Sequence, residues 1–163
     1  MHAIVDSPNT LTFGGRTYTA AIGRGGRRSD KREGDGATPL GLLVLRHILF
    51  RPDRLAAPQA AVPVQALTPT DGWCDDPAHT AYNRMVTLPI AARAETLWRD
   101  DTVYDIIGAL GWNDDPIIPG RGSAIFLHLA RADYSPTEGC VALSLPDLQA
   151  VLAGGLTGIL VKA

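Results

Sequence analysis

Two side chains with complementary chemistry stand twelve residues apart late in the chain: His128, in Ser123-Ala-Ile-Phe-Leu-His128, and Cys140, in Ser135-Pro-Thr-Glu-Gly-Cys-Val141. An imidazole can serve as a base and a thiol as a nucleophile. Acyl transfer uses both, together with backbone N–H groups that stabilise an oxyanion. The turn-rich run from Pro136 ends in two such amides, those of Gly139 and Cys140, beside the thiol. A glycine before the cysteine takes a φ that other residues resist and leaves room for a substrate carbonyl. Each part alone has a plainer reading, because a lone cysteine is commonly a small buried hydrophobe and a lone strand histidine a hydrogen-bonded structural residue. It is their order that points to a Cys/His acyl-transfer site: strand, histidine, polar loop, small-residue turn, cysteine, then the apolar pair Val141 and Leu143.

The elements that must position this pair can be read from periodicity. Strand alternation puts Ala124, Phe126 and His128 on one face and Ile125, Leu127 and Leu129 on the other, so the apolar face enters a core while His128 looks out. Upstream, Gly14-Gly15 between Thr10–Phe13 and Arg16–Ile22 signals a hairpin. Leu40 to Phe50 reads as a long strand with a bend at Gly41, and Leu55 to Thr70 as an extended connection or edge strand. Ala94, Leu97 and Trp98 recur at helical spacing, which predicts a short helix over Ala91–Asp100. Val103–Leu110 and Ser123–Leu129 follow as strands. Ser144 then caps a helix with Pro146 and Asp147 in its first turn, a stripe of Leu148, Val151 and Leu152, and a stop at Gly154-Gly155; Thr157–Val161 closes the chain as a strand. The predicted fold is mainly β, a β-sandwich or partly closed barrel with one or two short helices, in a single domain spanning residues 1–163.

Composition agrees with one globular unit. The chain has 163 residues, 45% hydrophobic and 20% charged, with 17 glycines and 12 prolines that favour turns over long helices. A net charge of −2 supplies no global field for nucleic acid. The Gly23–Gly36 segment holds Arg24, Arg27, Arg28, Lys31 and Arg32, but Asp30, Glu33 and Asp35 dilute that charge and no Gly-Lys-Ser/Thr ending is present. It reads as a mobile, solvated loop, or alternatively as a site where these cations meet substrate carboxylates. No cofactor or metal is expected, since the four histidines and two cysteines show neither Cys-x-x-Cys nor His-x-x-x-His spacing. Cys74 and Cys140 are expected free, Cys74 as a structural residue. Trp73, Trp98 and Trp112 read as core or groove walls. The longest apolar stretch, Leu40–Leu45, falls short of the roughly 18 residues of a membrane span, and no basic, apolar leader follows Met1-His2.

The run His128…Ser135-x-Thr137-Glu138-Gly139-Cys140-Val141 resembles the catalytic signature of the L,D-transpeptidases, the YkuD-type domain that cross-links peptidoglycan. Gly36-Ala-Thr38-Pro39-Leu-Gly41 is similar to the Thr-Pro-x-Gly segment of that domain. Asp71-Gly-Trp73-Cys74-Asp75-Asp76-Pro77, Tyr82-Asn83, Gly111-Trp-Asn113-Asp114-Asp115-Pro116 and Gly120-Arg-Gly-Ser123 resemble a bacterial subset of it. The similarity runs from about Gly34 to the end. Two departures stand out: Glu138 where many members carry histidine, and Ala142 where many carry arginine or asparagine.

The resemblance implies a cysteine acyltransferase acting on peptidoglycan stem peptides through a thioester on Cys140, with His128 as base or ion-pair partner and Gly139 at the oxyanion. Glu138, Ser123, Asn113, Thr137 and Arg121 are the candidate substrate contacts. A backbone carbonyl, or Asn113, Ser123 or Glu138, orients His128. It also implies a periplasmic or cell-wall location, with the cytoplasm as the alternative given the N-terminus. An L,D-carboxypeptidase or other cysteine amidase, a non-catalytic wall-binding module and a nucleic-acid binder are the competing readings, in that order.

Overall fold

In the computed structural model, which describes residues 1–163, the chain opens with β1 (His2–Val5), and the Gly14-Gly15 turn joins β2 (Thr10–Phe13) to β3 (Arg16–Ala21) as the sequence predicts. The next elements are β4 (Arg27–Arg28), β5 (Thr38–Pro39), β6 (Gly41–Phe50), β7 (Val64–Ala66), β8 (Asp71–Cys74), β9 (Met85–Thr87) and β10 (Ala94–Thr96). They are followed by β11 (Ile106–Gly111), β12 (Phe126–Leu129), β13 (Val141–Leu143), the helix α1 (Leu145–Ala153) and β14 (Gly158–Val161). No helix is long and apolar enough to cross a membrane.

One sheet runs β11-β12-β13-β3-β2-β1-β14-β6-β7, and a further pairing of β11 with β6 closes eight of these strands into a barrel, with β7 appended along β6. The long β6 makes closure possible. Its first residues pair with β14, whereas Val44–Phe50 pair with β11 across a register shift between Ala109 and Leu110. Such a shift bends a strand and lets it serve two neighbours. Gly41, at φ +110°, makes the bend expected at the start of β6.

The barrel interior and the helix share a cluster of 23 buried hydrophobic residues that includes Leu11, Leu43, Ile48, Leu127, Val141, Leu148 and Ile159. The helix forms as its sequence predicts: Ser144 Oγ accepts from the Asp147 amide, and Leu148, Val151 and Leu152 face inward. Such a cap is worth about 1 kcal/mol, so the buried stripe rather than the cap holds this nine-residue helix in place.

One expectation is corrected here. Ala91–Asp100 is not a helix: Ala94–Thr96 is the strand β10, paired antiparallel with β8 in a three-stranded sheet that β9 completes. Only three residues carried the helical period, and isolated short helices are marginal, so a partner strand offering a hydrogen-bond ladder prevails. The Gly23–Gly36 segment exposes Arg24, Arg28, Asp30 and Arg32 to solvent, as expected, and is anchored at several points. Lys31 is buried on Asp35, β4 pairs with β5, and Gly25 N–H donates to Gly36 O.

Candidate active site

Strand register delivers Cys140 and His128 to one side of the barrel wall. β12 and β13 are parallel, with Leu127 opposite Val141 and His128 opposite Ala142. Leu127 and Val141 enter the main core, so the alternate residues Phe126, His128, Cys140 and Ala142 face the other way. There Phe126 and Cys140 join a second, eight-residue cluster with Leu49, Leu97, Tyr104 and Ile107. The alternation read from sequence holds from Ile125 to Leu129, but His128 does not look out into solvent. It is 7% exposed and opens only onto a cavity of about 210 Å³. Cys140, 6% exposed, reaches the same cavity.

His128 Nδ1 lies 2.9 Å from the carbonyl oxygen of Leu129. A carbonyl only accepts, so Nδ1 carries the proton and Nε2 keeps its lone pair as a base. Of the candidate orienting groups, it is the backbone carbonyl that meets the ring. Tyr104 stacks edge-on against the imidazole at 5.5 Å and against Phe126 at 5.7 Å, which limits the ring's rotation. Burial pushes the imidazole down to about 4 despite the carbonyl contact.

The thiol is held by backbone alone. Cys140 Sγ donates to Ala124 O and accepts from Phe126 N–H, both at 3.4 Å. Burial drives the thiol up to about 12. Burial thus acts against charge on both side chains and favours the neutral thiol and imidazole in the empty site.

The turn before Cys140 is pinned from two directions. Thr137 Oγ1 donates to Cys140 O at 2.7 Å and accepts from Gly139 N–H at 3.2 Å; Thr38 Oγ1 donates to the same carbonyl at 3.3 Å. Gly139 sits at φ +123°, and a Cβ there would come within 2.7 Å of Ala37 O, so no larger residue fits. Because Gly139 N–H is engaged with Thr137, the Cys140 N–H, which has no partner, is the amide free to meet an oxyanion.

Of the predicted substrate contacts, Glu138 and Thr137 line the cavity, whereas Ser123, Asn113 and Arg121 do not. Ser123 Oγ donates to Glu33, Asn113 ties Ile118 and Gly122 together, and the Arg121 carbonyl accepts from Trp112 Nε1. These three close the 112–122 loop onto the barrel instead. Glu138 is exposed and paired at 2.9 Å with Arg24, which spends that cation of the glycine-rich segment.

Sequence reading missed Glu95, Arg99, Tyr104 and Arg131, all of which line the cavity. Glu95 was hidden by the helix assignment; as a strand residue opposite Trp73 it faces the site. Its Oε1 accepts from the Tyr104 hydroxyl at 2.9 Å, and burial raises its carboxyl to about 7. Asn83, in the quoted Tyr82-Asn83 pair, acts at one remove. Its Oδ1 accepts from Trp73 Nε1 and Ala124 N–H, and its Nδ2 donates to the carbonyls of Trp112 and Asn113. Ala124, held at φ +53°, thereby presents its carbonyl to the thiol. Cys74 is buried, and neither cysteine is in a disulfide. No three His, Cys, Asp or Glu side chains gather in a metal-holding group.

The family model of the L,D-transpeptidase catalytic domain, YkuD, matches residues 2–154. No match was found among the curated proteins or among the solved structures. The matched span takes in the barrel strands from β1 to β13 and the cavity they present, and the chain belongs to the YkuD family of L,D-transpeptidase catalytic domains.

Proposed function

We propose that the protein is a cysteine acyltransferase on peptidoglycan stem peptides, working through a thioester on Cys140. The observation that carries this reading is the shared cavity, lined both by the buried Cys140 and by a histidine whose Nδ1 is committed to Leu129 O and whose Nε2 has no hydrogen-bond partner. Because burial favours the neutral forms of both side chains, His128 Nε2 takes the thiol proton as Sγ attacks the substrate amide carbon. The Cys140 N–H stabilises the tetrahedral oxyanion, a donor contribution typically of about 3 kcal/mol. Collapse breaks the C–N bond, and the imidazolium returns the proton to the departing amine. A second stem's amine then attacks the thioester, gives its proton through His128 and restores the thiol. Water in place of that amine makes the same site a carboxypeptidase.

The substrate of this chemistry lies outside the cytoplasmic membrane, so the periplasm or cell wall is the proposed place of action. The test is mass spectrometry of tetrapeptide muropeptides incubated with the protein and with Cys140→Ala. Cys140-dependent loss of the terminal D-amino acid supports the reading, with dimers marking transfer and free tripeptide marking hydrolysis. Unchanged muropeptides in both samples sink it.

A further inference from the structure

The hydrogen bonds of Cys140 Sγ go to backbone, so its placement depends on whatever holds those two stretches of chain. Phe126 N–H belongs to β12 and is fixed by the barrel ladder. The Ala124 carbonyl precedes that strand, at the end of a 120–124 run that lies outside any regular element.

This run is gripped by the glycine- and arginine-rich segment. Glu33 Oε1 accepts from Ser123 Oγ at 2.5 Å and from the Tyr82 hydroxyl at 2.8 Å, and Glu33 N–H donates to Gly120 O at 2.8 Å. The buried Tyr82 hydroxyl accepts in turn from Gly122 N–H at 3.0 Å. Gly122 is at φ +106°, and a Cβ there would come within 3.1 Å of the Lys31 stem, which its buried pair with Asp35 holds still. Gly120, Gly122 and Ser123 thus all meet the stretch Lys31–Asp35.

The two ends of the same segment hold the backbone of the Cys140 turn. Thr137 N–H donates to Ile22 O at 2.9 Å, Arg24 N–H donates to Thr137 O at 2.8 Å, and Thr38 Oγ1 donates to Cys140 O. Residues 22–38 therefore meet the cysteine's own turn at their ends, and at their middle the run carrying the carbonyl that its sulfur meets. A contact between two separate stretches of chain keeps its length only when both are tied to one frame, and a displacement of about 1 Å at a reacting group can cost on the order of a hundredfold in rate.

We propose that Glu33 is a positioning residue for Cys140: by holding Ser123 and Tyr82 on one carboxylate oxygen, it sets the Ala124 carbonyl against the thiol. Glu33 does not line the cavity shared by Cys140 and His128, so it acts through Ser123 and Ala124 and not on substrate. Its effect on turnover rests on the acyl-transfer reading of Cys140, whereas its effect on the thiol does not. A carbonyl that accepts from the thiol favours the protonated form, so releasing that carbonyl favours the thiolate.

Two measurements on the full chain test this: kcat and KM for release of the terminal D-amino acid from a tetrapeptide muropeptide, and the rate of iodoacetamide alkylation at pH 8, read separately at Cys140 and Cys74 by peptide mass spectrometry. Cys74, fully buried, is the internal control for unfolding. Glu33→Ala is expected to lower kcat by about 10- to 100-fold with KM changed less than about threefold. It should speed alkylation of Cys140 by about 3- to 10-fold, as a downward move of about half to one pH unit in the thiol's titration requires, and leave Cys74 unchanged. Glu33→Gln keeps the accepting oxygen and should stay within about threefold of the unaltered protein on both measurements, and Ser123→Ala, which removes one of the two donors, should fall between.

An unchanged kcat or Cys140 alkylation rate in Glu33→Ala, a loss confined to KM, equal acceleration at Cys74 and Cys140, or Glu33→Gln as impaired as Glu33→Ala each overturns the proposal. Should Glu33→Ala fail to fold, Ser123→Ala decides by the same criteria. If the unaltered protein cleaves no muropeptide, the acyl-transfer reading falls and the alkylation rates alone decide whether Glu33 positions the thiol.

Discussion

The two faces of β12 are built from the same four residues of backbone and do opposite work. Leu127 and Leu129 enter an aliphatic interior with no titratable group among its 23 buried residues except the Tyr18 phenol. Phe126 and His128 face an eight-residue cluster that also holds Cys140 and Tyr104, with Glu95 at the edge of the same cavity. On the first face desolvation is a gain, at about 25 cal/mol per Å² of apolar surface removed from water. On the second it disfavours the charged forms of a thiol and an imidazole, pushing the first up and the second down. A strand wall therefore lets one segment serve the core and the proposed site without either residue set intruding on the other.

Substitutions on the two faces should separate cleanly. Cys140→Ser is expected to lower transpeptidation by about a thousandfold or more, roughly 4 kcal/mol in the barrier, while moving the urea midpoint little. Leu127→Ala should do the opposite, costing about 2–5 kcal/mol of stability by urea unfolding, with the surviving folded fraction still reactive at Cys140. Equal effects of the two changes on both measurements would end the division.

The next effect is the pH dependence of stability. His128 titrates near 6.5 when unfolded and near 4 when folded, so the stability linked to its neutral form is present above pH 6.5. It is lost as pH falls toward 4, roughly 3 kcal/mol in all. Glu95 has the opposite sign. Its carboxyl rises from 4.5 to about 7, so its contribution is present below pH 4.5 and lost as pH rises toward 7. That loss is the smaller of the two because one oxygen opens to the cavity. Urea midpoints measured from pH 4 to 7 should therefore be flatter for the unaltered protein than for either variant. His128→Gln should leave stability falling with pH, and Glu95→Gln should leave it rising; parallel curves for the two would refute the assignment.

Smaller still is Asn83→Ala, which removes the hub holding Ala124 and leaves Trp73 Nε1 and the Ala124 amide unpaired. A loss of about 1–3 kcal/mol is expected, with a drop in kcat larger than the change in KM, because the thiol's carbonyl partner shifts. Smallest is Glu138→Gln. Its ion pair with Arg24 is exposed on both sides, so thermal unfolding should move by less than about 1 °C, and any effect on turnover would then come from substrate contact.

The hairpin at Gly14-Gly15, the long β6 and the capped helix α1 were legible because each is specified by neighbours in sequence: a turn dipeptide, a continuous apolar run, a cap followed by a 3.6-residue stripe. The Ala91–Asp100 segment was not, since its strand state depends on β8, about twenty residues away, and three apolar positions fit a short helix equally well. That single misreading concealed Glu95. Ser123, Asn113 and Arg121 lie close to His128 along the chain, yet the 112–122 loop folds onto Glu33, Tyr82 and Asn83, away from the cavity. Proximity in sequence is a weak guide wherever a loop has buried hydrogen-bonding groups of its own to satisfy.

By itself the sequence determined the pairing of Cys140 and His128 as candidates, the face of β12 that carries His128, the glycine that must precede Cys140 and the mainly β character. All of these follow from residue type and local period. Only the tertiary structure decided that the barrel closes, that Cys140 and His128 are buried, that Leu129 O orients the imidazole, and that Arg131 and Glu95 line the same cavity. Each of those depends on which distant segments pack together, and so on the desolvation and hydrogen-bond partners that packing alone imposes.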